Sequence, residues 1–425
     1  DFTIPAPYYL DKNGNKHEAQ WKVNEETSTL SVNFTPEQGM YPVALDPTLS
    51  FTAPGVSNGG SVITGVGTGQ FGMTMIAGDL NADGRTDLAV GAPTGGVSAA
   101  GVVSIFYNDG AYANTPSGAD VTITGSAFRK FGSSLATGDL NTDGKTDLIV
   151  GTDLYDNTTT GAVKIFYNDG VYPSLETGSD VTITGDGVSF DFGASLATGD
   201  FNSDGRVDLA IGASPPLAFA ATGKAYIFYN DLTLPTTAGT ADVTITGEAS
   251  SAFGVGMIAG DFNADDKTDL AVSGTAAATY AGRVYVFYND TSYSATAAGA
   301  DALITGEAGS ENFGNSFAKG DFNADGKTDL VVGAYNNNGS SGKAYIFYSG
   351  SIITENASGA DLSITGVSSS YFSVTMNTGD FNSDGKTDLV VCTDFWGSPI
   401  EKAYIFYNDG SLPTTAATAD VIITA

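Results

Sequence analysis

The sequence predicts an all-β protein, a β-propeller of four-stranded blades, and three observations carry that prediction. An acidic nonapeptide recurs six times, starting at Asp79, Asp139, Asp200, Asp261, Asp321 and Asp380, with starts 60, 61, 61, 60 and 59 residues apart. Each copy sits among four short runs rich in Val, Ile, Thr, Tyr and Phe, set off by Gly, Asn and Asp turns. No stretch sustains a 3.6-residue apolar period, so helix is scarce. A repeat this small does not stand alone and buries its faces against its neighbours. A linear solenoid shares these features, but radial closure also disposes of sheet edges.

The second copy shows the elements in order. Residues 131–139 form the first strand and run into the acidic loop, and 146–152 form the second strand. A variable polar loop follows. Residues 161–167 form the third strand, closed by a turn at 168–170, and 180–185 form the fourth. Fourth-strand sequences occur seven times, the first at 61–65, before any complete repeat. Two arrangements follow. Residues 18–65 complete a seventh blade from candidate strands 18–23, 30–34, 41–45 and 61–65, or six blades close on themselves beside a small N-terminal β annex of residues 1–50. Residues 51–425 carry the propeller and its six loop repeats. A hairpin turn is expected at 11–15, where Asn and Gly tolerate positive φ.

The repeated loop carries the chemistry. Oxygen side chains stand at positions 1, 3, 5 and 9, which suits a hard cation with many oxygen ligands. The expected ligands in the first three loops are Asp79, Asn81, Asp83 and Asp87; Asp139, Asn141, Asp143 and Asp147; and Asp200, Asn202, Asp204 and Asp208. In the last three they are Asp261, Asn263, Asp265 and Asp269; Asp321, Asn323, Asp325 and Asp329; and Asp380, Asn382, Asp384 and Asp388. Position 7, held by Arg85, Lys145, Arg206, Lys267, Lys327 and Lys386, offers its backbone carbonyl while its cationic end points to solvent. Position 6 is Gly in five copies and Asp266 in the fourth, so that site is expected to be the most strained or weakest. The twelfth-position Glu of an EF-hand is absent, zinc lacks His and Cys ligands, and magnesium prefers a tight octahedron. Six calcium ions are expected.

Composition agrees. The chain has 48 Asp and Glu against 17 Lys and Arg, a formal net charge of −31, which six divalent ions reduce to −19. That balance excludes nucleic acid as a partner and disfavours anionic membrane surfaces. No apolar run is long enough for a transmembrane segment. The single cysteine, Cys392, leaves no internal disulfide, and bound calcium can take over as the staple. Cytosolic free calcium is too low to fill modest-affinity loops, so a secreted, extracellular or cell-surface location is expected. The opening residues lack a basic n-region and an apolar h-region, so a leader has been removed or the chain is a piece of a longer one.

The loops and strands together resemble the FG-GAP repeats of integrin alpha-subunit propellers and their bacterial surface-protein relatives. Phe-Gly opens the repeat at Phe71-Gly72, Phe131-Gly132, Phe192-Gly193, Phe253-Gly254 and Phe313-Gly314. The second half of the motif is complete at Gly91-Ala92-Pro93, with near matches at Gly212-Ala213-Ser214 and Gly333-Ala334-Tyr335. The sixth copy departs, reading Phe372-Ser373 and Cys392-Thr393-Asp394. The resemblance covers residues 66–425. It implies calcium loops between the first and second strands, extracellular binding or adhesion, and seven blades, which favours seven over six.

Catalysis is poorly provided for, and no enzyme is expected. The one histidine, His17, lies in a polar segment, and Cys392 has no His in its repeat. Propellers of this kind also occur in phospholipases, but the histidine-rich metal site of those enzymes is missing. Recognition belongs to the variable loops between second and third strands, at 94–100, 153–160, 214–222, 275–281, 335–341 and 394–400. The last holds Asp394, Phe395 and Trp396, suited to stacking on a sugar or anchoring a protein; equally, the Trp covers a seam between first and last blades. The expected function is an adhesion or ligand-binding module for an extracellular protein or glycan. The alternative is a structural subunit that pairs its outer strands with copies of itself in a surface layer, sheath or filament. An accessory domain of a secreted enzyme ranks third.

Overall fold

A computed structural model gives the architecture. It describes residues 69–425 except 110–112, 114, 153–159, 187–190, 215–221, 291, 308–311, 351–355, 394–401 and 425, and before residue 69 only short paired strands. Contacts divide the chain into two compact units, residues 1–64 with 110–118, and the remainder.

The larger unit carries six sheets, each of four antiparallel strands in chain order. Blade 1 comprises Thr74–Gly78, Asp87–Ala92, Val102–Phe106 and Val121–Thr124. Blade 2 comprises Phe131–Gly138, Asp147–Thr152, Ala162–Phe166 and Val181–Thr184. Blade 3 comprises Asp191–Gly199, Asp208–Ser214, Thr222–Phe228 and Val243–Ala249. Blade 4 comprises Phe253–Gly260, Asp269–Gly274, Arg283–Phe287 and Ala302–Thr305. Blade 5 comprises Phe317–Gly320, Asp329–Ala334, Lys343–Phe347 and Leu362–Thr365. Blade 6 comprises Phe372–Gly379, Asp388–Thr393, Lys402–Phe406 and Val421–Thr424. Helix among the described residues amounts to two four-residue turns, Ala277–Tyr280 and Asn337–Ser340, and short 3-10 turns.

The described residues therefore hold six blades, not the favoured seven. Each fourth strand pairs with the third strand of its own repeat, so every repeat completes its own sheet. Of the candidate seventh-blade strands, 18–23 and 30–34 fall on the two-stranded pair Gln20–Asn24 and Thr29–Asn33. The candidates at 41–45 and 61–65 lie outside the described residues. The expected turn at 11–15 is bracketed by Tyr8–Leu10 and Lys16–Glu18, which pair antiparallel.

Five apolar clusters fill the five joints between successive blades. Second strands are buried on both faces, so their residues alternate between two joints. In blade 2, Leu148 and Val150 pack towards blade 1 while Ile149 packs towards blade 3. Among the described residues no cluster joins blade 6 to blade 1. Accordingly Met75 of blade 1 is 58 % exposed, and Val390 and Cys392 of blade 6 are only half-buried where the other blades bury those positions.

The Phe-Gly motif explains itself in this packing. Phe131, Phe192, Phe253, Phe313 and Phe372 are fully buried and meet an aromatic ring of their own third strand edge-on, at 5.3–6.1 Å between centroids. The next residue, Gly193 for example, takes φ +94 and kinks the strand into a bulge. Its carbonyl then comes so close to Gly151 of the preceding blade that a Cβ there would lie 2.3 Å from the oxygen. Ser134 donates to that same carbonyl at 2.6 Å. Ser373 keeps the left-handed geometry at φ 73, its hydroxyl donating to the Lys343 carbonyl and accepting from the Ala334 N–H.

Candidate metal centres

All six loops share one hydrogen-bond frame. The position 1 carboxylate accepts from the N–H groups of positions 5 and 6; in the first loop Asp79 takes Asp83 at 3.0 Å and Gly84 at 2.9 Å. The position 3 amide oxygen accepts from position 5, as Asn81 does from Asp83 at 2.9 Å. The position 5 carboxylate accepts from position 7, as Asp83 does from Arg85 at 2.9 Å. These side-chain turns wind the loop tightly. Position 6 takes the left-handed region at φ 81–84 in the five glycines and 65 in Asp266. Position 4 takes it too, at φ 58–63, although it is Ala82, Thr142, Ser203, Ala264, Ala324 or Ser383. A non-glycine residue held there costs roughly 1–2 kcal/mol, so every loop stores strain that the sequence motif alone does not announce.

Position 9 is the buried anchor. Asp87 is 1 % exposed, and Asp147, Asp208, Asp269, Asp329 and Asp388 are fully buried. One oxygen of Asp147 accepts from Leu140 at 2.8 Å and the other from Asn168 at 2.9 Å. The same two bonds recur in every blade, with Ser349 in the place of the Asn in blade 5. Desolvation pushes Asp147, Asp208 and Asp269 up to about 6, the backbone N–H groups oppose the rise, and the carboxylates at positions 5 and 1 add to it. Each loop thus gathers like charge around a desolvated carboxylate.

Position 7 departs from expectation. Its side chains do not simply point to solvent. Arg85, Lys145, Arg206 and Lys267 reach the carbonyl that closes their own third strand, at 3.0–3.1 Å. In four loops the cation also lies 3.4–4.0 Å from the position 5 carboxylate. A guanidinium or ammonium beside the position 5 carboxylate brings positive charge to the acidic turn.

Two functional positions escape the sequence reading, in which the residues after the third strand only close it with a turn. The buried Asn that serves position 9 also clamps the loop of the preceding blade. Asn168 Nδ2 donates to the Asp79 carbonyl at 3.2 Å, Asn230 to Leu140 at 3.0 Å, Asn289 to Asp200 at 3.1 Å and Asn408 to Phe322 at 3.0 Å. The Asp that opens each fourth strand accepts from the Tyr N–H ending the third strand, at 2.8 Å in all six blades. The fixed recurrence of both residues was the available signal.

The donor set fits a hard cation. It is oxygen only, and carboxylate oxygens that accept one N–H retain a further lone pair. Positions 1, 3 and 5 line the exposed turn, while position 9 lies beneath it with both oxygens engaged. Among the described residues no group of three Asp, Glu, His or Cys side chains is already drawn together as a cage. The other expected sites contribute little. Asp394, Phe395 and Trp396 lie outside the described residues. Cys392 is half-buried, and burial pushes its thiol up, away from the reactive thiolate.

Comparison with known proteins places these loops in context. The FG-GAP repeat model matches residues 71–106, 131–166, 192–228, 253–287 and 313–347. Blade 6 is not matched, yet it keeps the same strands and loop frame. The chain is 36 % identical over 152 residues to integrin alpha-PS5 of Drosophila melanogaster, covering 34 % of this chain and 15 % of that protein. It is 33 % identical over 156 residues to phosphatidylinositol-glycan-specific phospholipase D of Bos taurus, covering 34 % and 18 %. It is 33 % identical over 163 residues to human integrin alpha-7, covering 36 % and 13 %. The matched stretches thus span less than a fifth of each relative.

Proposed function

Since the chain is an integrin alpha-like β-propeller built on FG-GAP repeats, we propose that it is a calcium-stabilised extracellular scaffold for adhesion or ligand recognition. The observation that carries this reading is one strained, oxygen-only loop repeated six times in one hydrogen-bond frame. Strain held at the same point of every repeat marks function rather than accident. In each loop the residues at positions 1, 3, 5 and 9 and the carbonyl of position 7 would hold the ion, which supplies the positive charge the gathered carboxylates lack. The protein's own part is mechanical. Position 9 ties each loop to its blade, and in four of the six the Asn of the next blade ties the loop to that neighbour.

An ion that binds only the folded state stabilises it by about 2.7 kcal/mol per site at a hundredfold excess over Kd. The melting temperature should therefore fall steeply in chelator and recover with calcium but not with magnesium. A melt indifferent to chelator would remove the calcium reading. The recognition reading is checked separately, by probing glycan and protein arrays with the chain in calcium. Binding lost on replacing a variable loop such as 335–341 would support it; a blank result on both arrays would count against it. The printed names of the relatives include a phospholipase, but the matched stretch covers only 18 % of that protein, and we read the chain as a binding module.

A further inference from the structure

At the joint between blades 3 and 4, on the end that carries the acidic loops, an open cavity of about 330 Å³ is lined chiefly by Ser203, Tyr229, Lys267, Ser292 and Tyr293. That volume lies at the small end for ligand pockets. Its walls are held from both blades. Phe201 is fully buried and meets the Tyr293 ring edge-on, 6.5 Å between centroids. Asn289, also buried, donates through Nδ2 to the Asp200 carbonyl and to Ser203 Oγ at 3.1 and 3.2 Å. Its own carbonyl takes Lys267 Nζ at 3.0 Å. The rest of the repeat shows that these side chains are not needed to close a joint. Between blades 1 and 2 the ring is kept as Tyr172, which is buried, but Ala82 and Val171 stand in the places of Ser203 and Ser292. Between blades 2 and 3 the hydroxyls are kept as Thr142 and Thr233, but Leu234 replaces the ring. Between blades 5 and 6 the three places hold Ala324, Ser411 and Leu412. Of the joints described at all three places, this one alone joins a tyrosine to two hydroxyls.

The chemistry of the walls selects the ligand. Ser203 Oγ accepts from Asn289 and keeps its own proton to donate. The hydroxyls of Tyr229 and Ser292 bond no other described residue. Such groups both donate and accept, and they suit a ligand that does the same. The two tyrosine rings add apolar surface. An anion finds little here: Lys267 is engaged by the Asn289 carbonyl and lies 4.0 Å from Asp265, and the net charge of −31 repels it at long range. A cation would meet Lys267. What fits is a neutral molecule rich in hydroxyls with an apolar C–H face. Resting on the reading of the chain as a recognition module, we propose that this cavity binds one neutral pyranose residue of a glycan, its C–H face on the Tyr293 ring and its hydroxyls on Ser203, Tyr229 and Ser292. The cavity opens beside the loop between first and second strands, at the opposite end of the blade from the variable loops between second and third strands, so it is a separate site.

The test is saturation-transfer NMR on the full chain in calcium, titrating the methyl glycosides of galactose, glucose, mannose and N-acetylglucosamine, with sialic acid as the anionic control. At least one neutral glycoside should saturate, and sialic acid should not. Tyr293→Leu, which installs the residue that blades 3 and 6 carry, should weaken that binding roughly tenfold, whereas Tyr293→Phe keeps the ring and should bind within a few-fold of wild type. Should Tyr293→Leu fail to fold, Ser292→Gln, an exposed change that plugs the mouth, should abolish binding and leave the melting temperature unchanged. No saturation by any neutral glycoside, sialic acid binding as tightly, or undiminished binding by Tyr293→Leu or Ser292→Gln would overturn the site. Those failures differ from failure of the recognition reading, which would stand without this cavity if binding on the arrays depended on a loop such as 335–341.

Discussion

The joints on either side of blade 4 differ in a way that separates what a loop owes to itself from what it owes to its neighbour. The loop at 200–208 in blade 3 has Gly205 at φ 84 and is clamped by Asn289, which donates to the Asp200 carbonyl and to Ser203 Oγ at 3.1 and 3.2 Å. The loop at 261–269 in blade 4 has Asp266 at φ 65 and faces Ser349 of blade 5, whose hydroxyl is buried without a partner. Among the described residues a long bond from the Gly350 N–H to the Phe262 carbonyl, 3.4 Å, spans that joint at the same place. Inside the loops the bonds accepted at positions 1, 3, 5 and 9 are the same, save for an added 3.3 Å bond from the Asn263 N–H to Asp269 in the fourth. Two departures from the repeat, one in blade 4 and one in blade 5, therefore fall on a single loop. The fourth site is set apart by its turn and by its neighbour, not by its ligands.

The largest effect should be common to both joints. Asp208→Ala and Asp269→Ala each strand two buried N–H groups, at about 1–3 kcal/mol apiece, so each variant should lose several kcal/mol in urea unfolding. A large difference between them would mean that the loops are not equivalent at their anchors. The neighbours should then separate them. Asn289→Ala removes the clamp and should cost about 1–3 kcal/mol, whereas Ser349→Ala deletes an unpaired hydroxyl and should lie within about 0.5 kcal/mol of wild type. Equal losses would dissolve the comparison. Smaller still is the turn itself. Asp266→Gly should gain about 0.5–1 kcal/mol, because a side chain at positive φ is relieved. Calcium titration should resolve one weak site beside a tighter class, and Asp266→Gly with Ser349→Asn should merge it into that class. A fourth site already as tight as the others in wild type would show that the added charge of Asp266 outweighs both defects.

Much of this was legible because a repeat prints its constraints six times. The 60-residue period, the four strands, the loop positions and the Phe-Gly opening were all readable from residue type and spacing. The special standing of Asp266 was readable from the missing glycine. Its partner defect at Ser349 was not, since it depends on which carbonyl an Asn 20 residues past position 9 reaches in the preceding blade. Strain at position 4 was hidden for another reason: Ala, Ser and Thr carry no mark of left-handed backbone. Blade count went astray because a lone Ser-Val-Ile-Thr-Gly at 61–65 leaves six and seven blades both open, and the family resemblance then tipped the choice to seven. The position 7 cations were misdirected because a long side chain reads as solvated until a carbonyl is found within its reach.

A further small effect compares the joints by charge. Between blades 2 and 3, Lys224 Nζ donates to Asp186 at 2.9 Å and the Tyr226 hydroxyl to its other oxygen at 2.8 Å. Arg283 with Glu248 and Lys343 with Glu307 repeat the pair at the next two joints. Between blades 1 and 2 no such pair is found among the described residues: Lys164 donates to Thr182, on its own blade. Burial pushes Asp186 up, but the Lys224 and Tyr226 hydrogen bonds and the Lys224 charge outweigh it and hold the carboxyl below the usual aspartate value. A depressed folded value means stability present at neutral pH and lost as pH falls through that value. Both side chains remain partly exposed, so Lys224→Met should cost under about 1 kcal/mol. The carboxylates of the loops titrate in the same acid range, which makes the difference between variant and wild type the quantity to follow. That difference in melting temperature should be steady at neutral pH and close in acid below the ordinary aspartate value. A gap that persists there would assign the effect to the Lys224 ammonium over the Tyr226 ring, 5.5 Å from its centroid, and not to the ion pair.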